Sequence, residues 1–287
     1  MTRIVYVGGR YVPYNSAAIH VEDRGFQFAD AVYEVIEVMG GCLVDEAGHV
    51  DRLTRSLREL AIERPCSTPV LAHVMRETIR RNRVNDGLVY LQVTRGAAAR
   101  DFLVPEAGLR PTLVCIARRT DPMKIAALAE AGIAVITMPD IRWRRSDIKT
   151  VMLLPAILAK EAARKNGARE AWLVDAEGYI TEGASSNAWI VEASGRIVTR
   201  PADERILSGV TRATLKDAIK QAGLELVERA FRTEEVTSAR EAFNTSATGT
   251  VMPVVGIDGK SIGDGRPGPI TRLLRAGFHR VAQISSN

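Results

Sequence analysis

The 287-residue chain contains no run of about 18 apolar residues, so it offers no segment long enough to cross a membrane as a helix. Its opening, MTRIVYVGGRYVPYN, lacks the apolar core of a secretory signal, and a cytoplasmic protein is the expectation. Cysteine is scarce. Cys42, Cys66 and Cys115 are odd in number and far apart, which argues against a disulfide framework and against a CxxC metal pair. The four histidines are scattered and form no metal signature, so no metal is expected. Charge blocks are missing too: a net +5 is spread through 39 basic and 34 acidic residues without five or six of one sign in a row, which is not the footprint of a nucleic-acid binder. Lysine itself is rare, at seven of the 39 basic residues.

What remains is 46% apolar and 25% charged, the composition of a soluble globular protein with room for two domains. Against this background one lysine stands apart. Lys160, Lys165, Lys216 and Lys220 have charged neighbours and read as solvated, whereas Lys149 in SDIKT is followed at once by the apolar run Val151-Met152-Leu153-Leu154. A lysine partly withdrawn from water loses preference for its charged form and becomes a nucleophilic amine. The alternative is an ion pair with Asp147.

The pattern along the chain is α+β. IVYVGGRYV and AVYEVIEVMGGCLV read as strand pairs turning at Gly8-Gly9 and Gly40-Gly41. HVDRLTRSLRELAI places Leu53, Leu57, Leu60 and Ile62 on one helical face, and TPVLAHVMRETIRRN does the same with Val70, Val74 and Ile79. LVYLQVTRG and PTLVCIARR follow as buried strands around an irregular loop. The break at Thr120-Asp121-Pro122 divides a smaller α+β domain, residues 1–120, from a larger α/β domain, 121–287, that carries Lys149. In the second part a helix from about Leu154 to Asn166 precedes the strands EAWLVD, YITEG and SNAWIVE, and SGVT opens a further helix.

The succession DIKT, LP, LAK, EAWLVD, ITEG, SSN and WIV, from Asp147 to Val191, closely resembles the pyridoxal-phosphate transaminases of fold type IV. The similarity runs from about residue 3 to about residue 260, far longer than a short motif. The resemblance implies a two-domain fold type IV enzyme, a homodimer, pyridoxal 5'-phosphate as cofactor, and small amino acids and 2-oxo acids as substrates. It implies that Lys149 forms the Schiff base and carries the proton between substrate and cofactor, and that Glu182 pairs with the pyridine nitrogen. It assigns the phosphate to Arg52 of the HVDRL motif, to Val210 and Thr211 at a helix start, and to the segment holding Ser246, Ala247 and Thr248. Taken alone these residues also fit plainer roles: an exposed turn carboxylate, a solvated helix arginine and an ordinary N-cap. The family often has threonine where this chain has Ala247, so the side-chain donor is Ser246 or Thr248, or the contact is through backbone N–H groups.

Substrate choice rests on the first domain. DRGFQFADAVYEVIEV resembles the D-amino-acid branch, in which the tyrosine at Tyr33 borders the substrate and an arginine and a histidine two residues apart hold its carboxylate. Arg100 matches, and Phe102 replaces the histidine and cannot donate a hydrogen bond. The resulting expectation is a D-amino-acid:2-oxo-acid transaminase. The alternatives are a branched-chain L-amino-acid transaminase, an (R)-amine transaminase and aminodeoxychorismate lyase on the same fold, or a catalytically silent cofactor-binding protein.

Overall fold

The computed structural model describes residues 3–106 and 108–285. They divide into two compact units. The first takes residues up to Asp121 together with Ile148–Met152 and the end of the chain from Gln283; the second takes Pro122–Asp147 and Leu153–Ala282.

The first unit contains β1 (Ile4–Val7), β2 (Arg10–Pro13), a short α1 (Arg24–Phe28), β3 (Ala31–Met39), β4 (Cys42–Val44), α2 (Glu46–Glu59), α3 (Thr68–Asn82), β5 (Gly87–Thr94) and β6 (Thr112–Arg119). The second contains α4 (Pro122–Ala131), β7 (Ile133–Pro139), α5 (Leu154–Lys165), β8 (Glu170–Val174), β9 (Ile180–Gly183), β10 (Asn187–Val191), β11 (Ile197–Thr199), α6 (Val210–Gln221), β12 (Leu226–Glu228), α7 (Thr233–Ser238), β13 (Glu241–Ser246), β14 (Thr250–Ile257), β15 (Lys260–Ser261) and α8 (Pro269–Val281). A last strand, β16 (Ile284–Ser285), belongs to the first unit.

In the first unit the strands form one antiparallel sheet in the order β16-β4-β3-β5-β6-β1-β2. Helices α2 and α3 pack on it, α2 on β3 and α3 on β6 and β1. Each buries one stripe: Val50, Leu53 and Leu57 on α2, and Leu71, Val74, Met75 and Ile79 on α3. Val70, expected on the buried face, is 47% exposed, because the stripe runs through Leu71 one position on, about 100° around the helix.

The second sheet runs β12-β11-β10-β13-β14-β7-β8-β9, with β15 on β14, and mixes parallel and antiparallel pairs. Helices cover both faces, which is why the WIV stretch is apolar throughout rather than alternating. Ala188 and Ile190 of β10 join a core with Trp172, Phe231 and Val254, whereas Trp189 and Val191 join one with Leu215, Phe243 and Phe278. Trp189 stacks on Phe243, its partner in the ladder, with centroids 5.5 Å apart. Among the described residues no helix is long and apolar enough to cross a membrane.

One assignment changes. The sequence places Lys149 in the 121–287 part, but residues 148–152 belong to the first unit. The reason is strand pairing. Thr150 bridges Val32 antiparallel, the Tyr33 N–H donates to the Lys149 carbonyl at 3.0 Å, and the Val151 N–H donates to the Ala31 carbonyl at 3.1 Å. The lysine segment thus lies along β3, joined to it by a single bridge and two hydrogen bonds.

Candidate active site

Pairing with β3 fixes the backbone of Lys149, and the Ser56 hydroxyl accepts its N–H at 3.3 Å. The side chain is half-buried, and its Nζ stands over the Tyr33 ring at 4.2 Å from the centroid. The sequence thereby brings its proposed Schiff-base lysine and its substrate-bordering tyrosine together from positions 116 apart in number. Tyr33 in turn lies against Tyr90, centroids 5.8 Å apart, and burial pushes the Tyr90 hydroxyl up to about 12, so it stays a protonated donor to Gln92 Oε1. Asp147, the ion-pair partner that sequence offered for Lys149, is engaged by the Arg145 guanidinium at 3.0 Å.

The next residue of β3 points the other way, as strand alternation requires, and Glu34 is completely buried. Its Oε1 accepts from Arg52 Nε at 2.8 Å, and its Oε2 accepts from Arg52 Nη2 at 2.7 Å and lies 2.7 Å from His49 Nδ1. Burial alone would raise this carboxyl; the charge and hydrogen bonds of Arg52, with His49, override it and hold it at about 2. Arg52 is therefore a cation oriented by a buried carboxylate, set one helical turn after His49 on α2.

In the second unit Glu182 is buried on β9, and its oxygens accept from Arg142, from Asn187 Nδ2 at 2.8 Å and from the Leu207 N–H at 3.1 Å. The Leu207 N–H is shared with the second oxygen at 3.2 Å, so both oxygens of Glu182 are held by donors. Burial raises the Glu182 carboxyl, opposed by Arg142, which is itself held by both oxygens of Asp140. Asn187 also donates to the Leu207 carbonyl at 2.9 Å, and a Cβ added at Gly209 would overlap its Oδ1. Asn187 thus ties Glu182 to the start of α6, where Gly209 is the N-cap, no side chain caps the helix, and Val210 and Thr211 open it. Opposite Asn187 in the ladder is Thr245, one residue before the turn that follows β13. In that turn the Ser246 hydroxyl accepts the Gly249 N–H at 3.2 Å, Ala247 is half-buried and Thr248 exposed, and Arg275 of α8 donates to the Gly249 and Val251 carbonyls at 2.8 and 2.7 Å. The helix start and the turn, two of the three elements expected at a phosphate, are therefore brought to the same end of β10 and β13 as Glu182.

Arg100 and Phe102 lie on the β5–β6 loop of the first unit, both exposed. Their side chains meet Phe28: its ring centroid is 5.3 Å from the Arg100 guanidinium carbon and 5.6 Å from the Phe102 centroid.

A family model described as amino-transferase class IV matches residues 31–257. The chain belongs to the class IV aminotransferase family. It is 36% identical to the D-alanine aminotransferase of Staphylococcus haemolyticus over 283 residues, 99% of each chain, and 38% identical to that of Bacillus licheniformis over 272 residues, 94% of each. Among solved structures, a T.th. branched-chain amino acid aminotransferase with pyridoxamine 5'-phosphate superposes with a TM-score of 0.89 at 25% identity, over 98% of this chain and 94% of that one. The Escherichia coli branched-chain enzyme gives 0.89 at 23%, over the same shares, a likeness of fold.

For a class IV aminotransferase, sequence reasoning missed the residues that orient the named ones: Glu34, Asn187 and Arg142. Glu34 carried a weak signal, one of two carboxylates in the strand AVYEVIEVM and 18 residues before an arginine. Asn187 sat in the quoted SSN motif without a role, and Arg142 looked like one of several arginines in IRWRR.

Proposed function

We propose that this class IV aminotransferase exchanges amino groups between D-amino acids and 2-oxo acids with pyridoxal 5'-phosphate, D-alanine and D-glutamate serving with pyruvate and 2-oxoglutarate in two alternating half-reactions. The observation that carries the catalytic part is Lys149, whose backbone is pinned to β3 while its amine stands over Tyr33. The D-amino-acid part is supported by relatives named D-alanine aminotransferases that align over nearly the whole chain.

The residues present fit the cofactor. In the second unit Glu182 is a buried carboxylate suited to a pyridine N–H, the α6 start offers N–H groups that no side chain caps, and the 246–248 turn adds small residues; in the first, Arg52 adds a cation suited to a phosphate. When bound, the pyridine ring withdraws electrons from the substrate Cα. Lys149 Nζ would carry the proton between the substrate Cα and the cofactor C4′. Glu182, an anion beside the ring nitrogen, keeps that nitrogen protonated, and Arg142 with Asn187 holds the carboxylate in place. Tyr33 flanks the lysine, and Arg100 receives the substrate carboxylate through two parallel hydrogen bonds.

The reading includes a cytoplasmic homodimer. Exposed Ile19, Val21 and Phe26 on the first unit support it as apolar surface for a second copy, and sedimentation gives the mass directly. Phe102 favours a second reading, an (R)-selective amine transaminase, because it removes a donor for the carboxylate. The experiment is the chirality of the glutamate formed from D-alanine and 2-oxoglutarate: D-glutamate is expected, and L-glutamate overturns the reading.

A further inference from the structure

The β5–β6 loop, residues 95–111, is long for a connection between antiparallel strands, and its middle is exposed. It is nonetheless tied down by one stretch of chain. Ala97 bridges Asp23, the Arg24 N–H donates to the Gly96 carbonyl at 2.9 Å and the Ala98 N–H to the Glu22 carbonyl at 3.3 Å. Beyond this base the work passes to a single side chain. The Arg24 guanidinium, 5% exposed, donates to the carbonyls of Asp101 at 2.7 Å, Phe102 at 3.3 Å and Leu103 at 3.4 Å. Its Nε donates to Asp30 at 2.9 Å, and Asp30 also receives Arg95, so one carboxylate anchors both guanidinium groups. Three successive carbonyls turned toward one cation fix the backbone immediately after Arg100. Phe28, four residues after Arg24 on α1, lies under both arginines, 4.8 Å from the Arg24 carbon and 5.3 Å from that of Arg100, and packs on Phe102. The approach is close: a Cβ at Gly25 would collide with the Thr94 side chain, so residue 25 admits no larger side chain without moving α1 off β5.

We propose that Arg24 is a positioning residue for Arg100: with Asp30 and Phe28 it presets the 100–103 backbone so that the Arg100 guanidinium is held ready for a substrate carboxylate, in a chain whose residue 102 contributes a packing ring instead of a hydrogen-bond donor. The inference rests on the assignment of Arg100 to the carboxylate. A guanidinium held in advance loses less freedom on binding, so the arrangement acts on affinity for carboxylates and leaves the proton-transfer residues untouched.

The test compares Arg24→Met, Arg24→Lys, Arg100→Met and the Arg24→Met/Arg100→Met double variant in the cofactor-loaded enzyme. Three readouts are taken: KM and kcat for D-alanine, the inhibition constant of propionate, which carries a carboxylate and no amine, and the rate of tryptic cleavage at Arg100–Asp101. Arg24→Met is expected to raise KM and the propionate constant together by about tenfold, with kcat within about threefold. Cleavage at Arg100–Asp101 is expected to accelerate, and the double variant to be no worse than Arg100→Met. Arg24→Lys, which keeps the charge beside Asp30 but not the fork, is expected to fall between wild type and Arg24→Met, and it carries the test if Arg24→Met does not fold. Unchanged propionate binding and cleavage in the Arg24 variants, with Arg100→Met impaired, would overturn the positioning role, as would penalties that multiply in the double variant. Unchanged KM in Arg100→Met would instead overturn the carboxylate assignment on which the inference stands.

Discussion

Replacing Glu34 by glutamine removes one charge from a fully buried cluster while conserving shape, and the structure sets the size of the effect. A carboxyl held at about 2 against an ordinary 4.5 contributes roughly 3 kcal/mol once ionised, at ~1.36 kcal/mol per pH unit. The sign follows from the depressed value: the contribution is complete above about pH 4.5 and is lost as pH falls toward 2. The substitution also strands the Arg52 guanidinium, and breaking a buried pair from one side costs about 3–5 kcal/mol. At roughly 2–4 °C per kcal/mol, the melting midpoint of Glu34→Gln should lie about 6–20 °C below wild type at neutral pH. By the same linkage the charge contribution at about pH 3 is roughly half its neutral value, so the gap should narrow on acidification. Melting curves of both proteins across this range, at one cofactor concentration, provide the assay. A neutral-pH gap below about 1 °C, or one that does not change on acidification, would refute the reasoning.

Lys149→Ala should lose the visible absorbance of the cofactor-loaded enzyme and reduce turnover by at least about a thousandfold, read by spectroscopy and by pyruvate release. Asn187→Ala removes the donor that joins Glu182 to the Leu207 carbonyl and should weaken cofactor binding by about tenfold, measured by fluorescence titration. Gly209→Ala places a Cβ against Asn187 Oδ1 and should weaken the cofactor at least as much as Asn187→Ala, and an unchanged dissociation constant would contradict the tie between Glu182 and α6. Because burial raises the Glu182 carboxyl and Arg142 opposes it, the acidic limb of kcat/KM should lie above the ordinary glutamate value and move higher still in Arg142→Met, as a pH profile would show.

Much of this architecture was legible because local pattern and tertiary role coincide. Helices α2 and α3 follow apolar spacing, α5 stops just before Gly167, and β10 is an apolar run. What the pattern could not give was partnership over long distances. The lysine segment reads as belonging to the second part because Pro122 opens a new set of elements ahead of it, yet its hydrogen bonds go to β3, over a hundred residues earlier. A five-residue segment bridged to a distant strand has no periodicity of its own. Likewise, FNTSATG reads as a small-residue loop, whereas its first half completes β13; Asn244 and Thr245 accept from the indole N–H groups of Trp172 and Trp189, contacts that sequence spacing does not reveal. Resemblance supplied Lys149, Glu182 and Arg52, but their orienting residues became visible only with the fold: Glu34 behind Arg52, Arg142 and Asn187 around Glu182, and Arg24 beneath the Arg100 loop.

The central claim is that this aminotransferase acts on D-amino acids through Lys149 and a carboxylate held by Arg100. A single-turnover experiment tests it most directly, with the loaded enzyme mixed separately with D-alanine, L-leucine and (R)-1-phenylethylamine while the visible absorbance is followed. The account predicts rapid loss of that absorbance with D-alanine, accompanied by one equivalent of pyruvate, and little change with the other two. Rapid conversion by L-leucine or by the amine, with D-alanine inert, would contradict it.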